Sequence, residues 1–325
     1  MASHSSFFLV TMLVLFSYAT KLAFSDSLLS RSFYQTVCPQ ALPIIRRIVF
    51  DAVRQEPRMG ASLLRLHFHD CIVNGCDASV LLDSTPTIDS EKNALGNANS
   101  LRGFEVIDQI KLEVDRACNN GPSTVSCADI LAVAARDSVV ALGGPSWPVQ
   151  LGRRDSTTAS RTTADNDIPT PFMDLPALVA SFSRHGLGVR DLVALSGAHT
   201  LGFAQCRIFR SRVYNDTNID NAFASRLRAG CPPVGGDSNL ASLDQGPFVF
   251  GTNYFSNLLG NRGLLHSDQA LFGGAAGQTG GLVQTYSRNY GIFARDFAQS
   301  MIKMGNINPL TGNNGEVRVN CRKVN

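Results

Sequence analysis

Residues 65–79 read RLHFHDCIVNGCDAS and crowd chemistry-bearing side chains into fifteen positions. His67 and His69, with Asp70, Cys71 and Cys76 beside them, have the composition of a zinc site. Spacing decides against it. The preceding MGASLLRLHF favours helix by propensity. On a helix, residues two apart point about 200° from each other, so His67 and His69 cannot share an ion. Arg65 and His69 are four apart and share a face. A strand would put both histidines on one side and restore the zinc reading, but the flanking glycines and the irregular CIVNGCDAS speak against a strand. An Arg beside a His on one face can do acid–base work: the imidazole shuttles a proton near neutral pH, and the guanidinium offers fixed positive charge to developing negative charge. The plainer alternative is an ion-pair network with Asp70.

The same stretch carries a second constellation. Asp70, Val73, Gly75, Asp77 and Ser79 alternate hard oxygen donors with small residues, and carboxylates, a hydroxyl and backbone carbonyls are what calcium takes. The spacing is not that of an EF-hand, and an ordinary Asp/Gly turn is the alternative. Cys71 and Cys76 are near enough in sequence for a small covalent loop around these donors.

The elements that must position these residues are helical. The chain has 325 residues, 44% of them hydrophobic and 17% charged, enough to bury a large core. Its net charge of +3 is spread without basic runs, which argues against nucleic-acid binding. The run FFLVTMLVLF followed by Ala23-Phe24-Ser25 has the length and small residues of a signal peptide, although a charged n-region is missing. Residues 1–25 are therefore set aside as a signal peptide, and 26–325 are read as one domain. No later segment is long and apolar enough to span a membrane. All eight cysteines fall after residue 25, an even count that implies four disulfides in an oxidising compartment, with pairing left open by spacing alone. The sequon at Asn215 points the same way.

Helical periodicity recurs in PQALPIIRRIVFDAVRQEP, GFEVIDQIKLEVDRAC and SCADILAVAARDSVVALGG, the last with a cap at Ser126. DLPALVASFSRHGLG and DLVALSGAH read as helices with an aspartate start and a glycine stop, and YSRNYGIFARDFAQSMIKMG as one late amphipathic helix. Residues 143–174 and 231–250 read as long irregular stretches. The expectation is a mainly α, single large domain with functional loops.

Taken together, RLHFHDC, NGCDAS, EKNALGNANS, TVSCAD, GGPSW, LGRRD and DLVALSGAHTLG resemble the secreted plant haem peroxidases of class III, and the likeness runs from Phe33-Tyr34 to MGNINPLTG and NCRKVN. The resemblance implies an all-helical domain whose distal and proximal halves sandwich haem b. It implies that His69 is the distal acid–base, that Arg65 polarises the O–O bond of hydrogen peroxide, and that Asn97 accepts a hydrogen bond from His69 and keeps its other nitrogen basic. His199, in SGAHT, is similar to the axial iron ligand, and Asp268, in HSDQALF, to the carboxylate that takes its other N–H. Phe68 falls where the family lines the distal haem face, and Pro169 where it edges the substrate site. His67 becomes a structural histidine. The implied disulfides are Cys38–Cys118, Cys71–Cys76, Cys127–Cys321 and Cys206–Cys231.

Two calcium sites belong to the family pattern. The distal one is intact: Asp70, Val73, Gly75, Asp77 and Ser79, with Glu91 reached through water. The proximal one is not. In LDQGPFVFGTNYF, Gly246 precedes the proline, Gly251 stands where a second aspartate belongs, and one residue is missing between Asp244 and Pro247. Thr200 and Asp244 remain as ligands, so the proximal ion is expected to be weak or absent. Leu95 and Ile208 replace phenylalanines of well-known relatives at the substrate edge. The expected activity is reduction of hydrogen peroxide with one-electron oxidation of small phenolic donors, by a monomer secreted to the cell wall, with no nucleic acid partner. The rival reading is a non-catalytic calcium-binding or wall-binding protein that keeps the fold; a zinc hydrolase is the third.

Overall fold

The structure, a computed structural model, describes residues 29–118, 124–274 and 277–325. The segment read as a signal peptide, residues 1–25, lies outside the described residues.

Thirteen α-helices lie along the described chain. They are α1 Ala41–Gln55, α2 Arg58–Cys71, α3 Phe104–Ala117, α4 Cys127–Ala141, α5 Arg161–Asp167, α6 Leu175–Arg184, α7 Val189–Ser196, α8 Cys206–Asn215, α9 Asn221–Gly230, α10 Asn253–Leu259, α11 His266–Gln269, α12 Gln278–Arg288 and α13 Tyr290–Met304. Short 3-10 turns cover Ser79–Leu81, Glu91–Asn93 and Gly197–Thr200. The β-structure consists of β1 (Phe203–Gln205) and β2 (Leu240–Ser242), paired antiparallel with Phe203 opposite Ser242, and a few isolated bridges.

The amphipathic stretches explain the packing. Helix α1 buries Ala41, Ile45, Ile48, Val49 and Val53, and α4, apolar nearly all round, is buried along most of its length. Accordingly α1, α2 and α3 pack around α4 to form one half of the molecule, while α7, α10, α12 and α13 pack together in the other. The second half is built on aromatic rings: Phe293 stacks on Phe250 at 5.1 Å and meets Phe255 edge-on at 4.8 Å. Gly197 lies over this cluster so closely that a Cβ there would sit 2.5 Å from the Phe293 ring. The residue before Ala198-His199 is thus glycine because the backbone rests on the rings.

The four disulfides join Cys38 to Cys118, Cys71 to Cys76, Cys127 to Cys321 and Cys206 to Cys231, as the family likeness implies. Behind α4, the Arg153 guanidinium lies 2.9 Å from Asp129, both fully buried, and Asp129 also accepts from the Tyr34 hydroxyl at 2.7 Å. Charge is tolerated there because each partner is hydrogen-bonded as well as paired.

Several sequence expectations shift in detail. Ser126 caps α4 as read, accepting from the Asp129 N–H. Asp174 precedes α6 but does not cap it; its carboxylate goes instead to His266. Asp191 is not the residue before α7 but lies within its first turn, where its carboxylate accepts from the Gly188 N–H at 2.9 Å. The late amphipathic stretch is two helices, not one: the backbone is extended at Asn289, whose side chain restarts the helix by accepting from Ile292. The irregular stretches hold α5 and β2, and α8 to α11 lie outside the stretches read as helix.

Candidate functional site

Helix α2 presents two chemically distinct faces. Leu63, Leu64, Leu66 and His67 are buried, whereas Ala61, Ser62, Arg65 and Phe68 are half-exposed at one-face spacing. A half-open stripe on a helix so deeply embedded marks a crevice. His69, 5% exposed, lies at its end, with the Phe68 ring edge-on to it at 5.7 Å.

The protonation of His69 is fixed by its neighbour. Asn97 donates from Nδ2 to the Glu91 carbonyl at 2.8 Å, which leaves Asn97 Oδ1, 2.5 Å from His69 Nδ1, as an acceptor. Nδ1 therefore donates, and Nε2 carries the free lone pair. Burial, with the Arg65 charge adding to it, holds the imidazole well below its usual titration range, so it stands ready as a base. Burial, with Arg207 nearby, lowers the Arg65 guanidinium only to about 10, so it stays charged. It donates to the Gly96 carbonyl at 2.8 Å and to the Ser100 hydroxyl at 3.2 Å.

Across the crevice, the 3-10 turn after α7 carries His199 and Thr200. His199 Nδ1 donates to Asp268 Oδ1 at 2.7 Å, which leaves Nε2 for a metal. The His199 side chain is 39% accessible although Asp268 beneath it is 3% accessible, so the imidazole faces open space on a solid base. Burial works against charging His199, but the Asp268 carboxylate outweighs it and raises its pKa, while the Arg65 charge pulls the other way. The segment after His199 runs against α2: a Cβ on Gly202 would meet Ala61 Cβ at 2.9 Å. The walls join at one edge, where Gln205 and Arg207 donate to the carbonyls of Asn99 and Ala98.

An imidazole anchored through Nδ1, an open-faced helix opposite, and a base with a fixed tautomer suit a haem iron bound by a proximal histidine. The residues present fit that group.

The distal loop fits a cation. Asp70, Asp77, Ser79 and Glu91 are buried, and Asp70 Oδ1, Ser79 Oγ and Glu91 Oε2 have no hydrogen-bond partner. Buried orphan oxygens call for a missing partner. Three carboxylates face one guanidinium, Arg318, which also neighbours Asp155. Burial, with mutual repulsion added, pushes Asp70 well up, and burial raises Glu91 to about 7. A divalent cation would balance the excess. Gly75 (φ +131°) lets the loop turn against the C-terminal segment, where a Cβ would meet the Asn308 carbonyl at 2.5 Å. Val73 is buried beside Ala94, Ala164 and Ile168.

The proximal side does not fit one. Thr200 and Asp244 come together, but by a hydrogen bond: the Thr200 hydroxyl donates to Asp244 Oδ2 at 2.9 Å. Asp244 Oδ1 accepts from the Gln245 N–H at 2.6 Å and from Asn257 Nδ2 at 3.0 Å. Both oxygens are spent on protein donors. At Gly246 nothing would touch an added Cβ within 4 Å, and at Gly251 the nearest atom is 3.9 Å away, so the space for ligating side chains is there without the side chains.

His67 is buried with its Nδ1 3.6 Å from Cys71 Sγ. His67, Cys71 and Cys76 are close enough for a metal, but both sulfurs are in a disulfide. Burial and Arg153 depress the imidazole to about 3, so it is a neutral core residue. Pro169 is half-buried in the loop between α5 and α6, which Ser267 N–H anchors at the Pro171 carbonyl. Leu95 is 78% exposed, whereas Ile208 packs against the cluster of Phe209 and Leu264. Sequence reading missed Tyr254 and Asn257 on α10, which reach Asp268 and Asp244; the only local signal was their spacing of three on one short helix.

A mainly helical domain that carries Arg65, His69 and Asn97 on one side and the His199–Asp268 pair on another suits a haem peroxidase. Comparison with known proteins agrees. Residues 45–289 match the family model described as Peroxidase. The chain is 55% identical over 326 residues to Peroxidase RIP1 of Medicago truncatula and 57% over 328 to Peroxidase 2 of Oryza sativa subsp. japonica, in both cases across the full length of both chains. It is also 56% identical over 299 residues, 91% of each chain, to the Lignin-forming anionic peroxidase of Nicotiana sylvestris. The chain belongs to the peroxidase family, among the class III plant enzymes.

Proposed function

We propose that this peroxidase uses Arg65, His69 and Asn97 on one wall and His199 and Asp268 on the other to reduce hydrogen peroxide and oxidise phenolic donors. The observation that carries the reading is the His69–Asn97 bond, which fixes Nε2 as the base beside a charged Arg65. His199 would hold the iron of haem b through Nε2. When bound, haem supplies the redox chemistry, taking two oxidising equivalents from peroxide and passing them singly to donors. His69 Nε2 takes a proton from one peroxide oxygen and returns it to the other, which leaves as water. The Arg65 charge favours the polarised O–O bond. Asp268 keeps His199 oriented and rich in electron density.

Phe68 restricts approach to the haem face, and donors meet the haem edge near Pro169 and the exposed Leu95. Asp70, Val73, Gly75, Asp77 and Ser79 would hold one calcium, with Glu91 behind it, and the Thr200–Asp244 pair works without a second. The bond from Asn97 to the Glu91 carbonyl then links the calcium loop to the tautomer of His69. Residues 26–325 form the working domain. Export to the cell wall after loss of residues 1–25, as a monomer, agrees with four disulfides and with the fact that no helix among the described residues is long and apolar enough to cross a membrane. A wall-bound protein without catalysis would not require the satisfied His69–Asn97 and His199–Asp268 pairs.

The test is spectroscopic and kinetic. Haem-loaded protein should show a Soret band that shifts on peroxide addition and reverts as a phenol is consumed. A band indifferent to peroxide would refute the proposal.

A further inference from the structure

Asp268 serves two donors with one oxygen. His199 Nδ1 lies 2.7 Å from Oδ1, and the Tyr254 hydroxyl donates to the same Oδ1 at 3.0 Å. The other oxygen, Oδ2, accepts from the Leu265 N–H at 3.2 Å. Tyr254 comes from α10, is 1% exposed, and sets its ring edge-on to the His199 imidazole with centroids 6.2 Å apart. Burial, with the Asp268 charge added, drives its phenol well above the usual range, so the hydroxyl keeps its proton and remains a donor.

We propose that Tyr254 is a positioning residue that moderates the pull of Asp268 on the His199 N–H. This rests on the reading of His199 as the axial ligand. Two donors on one carboxylate oxygen compete for its electron density, and neighbouring bonds in a buried network polarise one another. With Tyr254 in place, Asp268 is a weaker acceptor for Nδ1–H, so the imidazole is less anionic and pushes less density through Nε2. Hydrogen bonding behind an axial ligand is one of the levers that sets haem potential. Tyr254 also fixes the carboxylate from a helix that, one turn on, donates Asn257 to Asp244. Helix α10 therefore braces both His199 and Thr200 through one carboxylate each.

The test compares Tyr254→Phe, Asp268→Asn and the double variant in the haem-loaded protein. The readouts are the iron–histidine stretching band of the ferrous form and the ferric/ferrous potential. Tyr254→Phe keeps the ring and removes only the hydroxyl. It should move the band to higher frequency and the potential to a more negative value. Asp268→Asn should move both the opposite way. The double variant should match Asp268→Asn, because Tyr254 acts only through that carboxylate. Unchanged values in Tyr254→Phe, with Asp268→Asn shifted, would overturn the proposal and leave the axial assignment standing. If Asp268→Asn also leaves both values unchanged, the axial reading and the proposal fall together.

Discussion

Thr200 and Asp244 are joined by a hydrogen bond of 2.9 Å, directly next to the histidine that faces the haem crevice. The two ligands left at a site expected to be weak or absent are bonded to each other through a proton. With Asn257 and the Gln245 N–H on the other oxygen, the carboxylate needs no cation.

Purified haem-loaded protein should accordingly carry one calcium per haem. Exhaustive chelation should remove that single ion and disturb the His69 side, through the Glu91–Asn97 bond, more than the His199 side. Two calcium ions per haem that survive mild chelation would contradict the proximal assignment.

The disulfides should divide between stability and calcium binding. Cys127–Cys321 spans a separation of 194 residues; closing such a loop contributes about 5 kcal/mol in the chain-entropy model. Cys71–Cys76 spans 5, and contributes roughly 2 kcal/mol in the same model. Replacing the first pair with alanines should lower the thermal midpoint strongly. Replacing the second should lower it modestly but weaken calcium binding, because the loop holds Asp70 and Asp77. Thermal scans with calcium titration separate the two, and equal effects on the midpoint would count against this division.

His266 provides a pH test. Its Nε2 meets Asp174 at 2.9 Å and its Nδ1 meets Asp216 at 2.8 Å. A neutral imidazole has one N–H, so both bonds require the charged form. The pKa is raised, first by Asp174, against some desolvation and with Asp216 helping. A raised folded-state pKa means the stabilisation is fully present below the ordinary histidine range of about 6.5 and is lost as pH rises through the folded value. The site is largely solvated, so the effect is about 1 kcal/mol at most. Stability of the wild type relative to His266→Gln should be greatest near pH 5.5 and shrink toward pH 9. A difference that grows with pH would count against the clasp.

What was legible in the sequence was what a helix repeats locally. The four-residue step from Arg65 to His69 and the opposed phase of His67 could be read from RLHFHDC, and the structure has His67 in the core and Arg65 on the crevice. The cluster of buried oxygens at Asp70, Asp77 and Ser79 could be read because these residues lie close together in the chain. Disulfide pairing could not be read from spacing and came with the family likeness. Tyr254 and Asn257 escaped because their partners lie 14 and 13 residues away across a turn, where no periodicity links them. An aspartate before an apolar run usually caps, so the sequence places helix starts at Asp174 and Asp191. His266 claims the Asp174 carboxylate, whereas Asp191 serves the Gly188 N–H from within the first turn of α7 and takes Lys303 and Ser300 as well. The break at Asn289 hid inside an apolar pattern that continues on both sides of it.

The most direct measurement is the rapid-mixing rate of hydrogen peroxide with haem-loaded wild type and His69→Leu. Acid–base catalysis by one side chain is worth about 10²- to 10⁴-fold. The variant should keep its haem, since His199 and Asp268 are untouched, and its peroxide reaction should slow by that factor. An unchanged rate with haem in place would contradict the role of His69 and, with it, the proposed chemistry of the crevice.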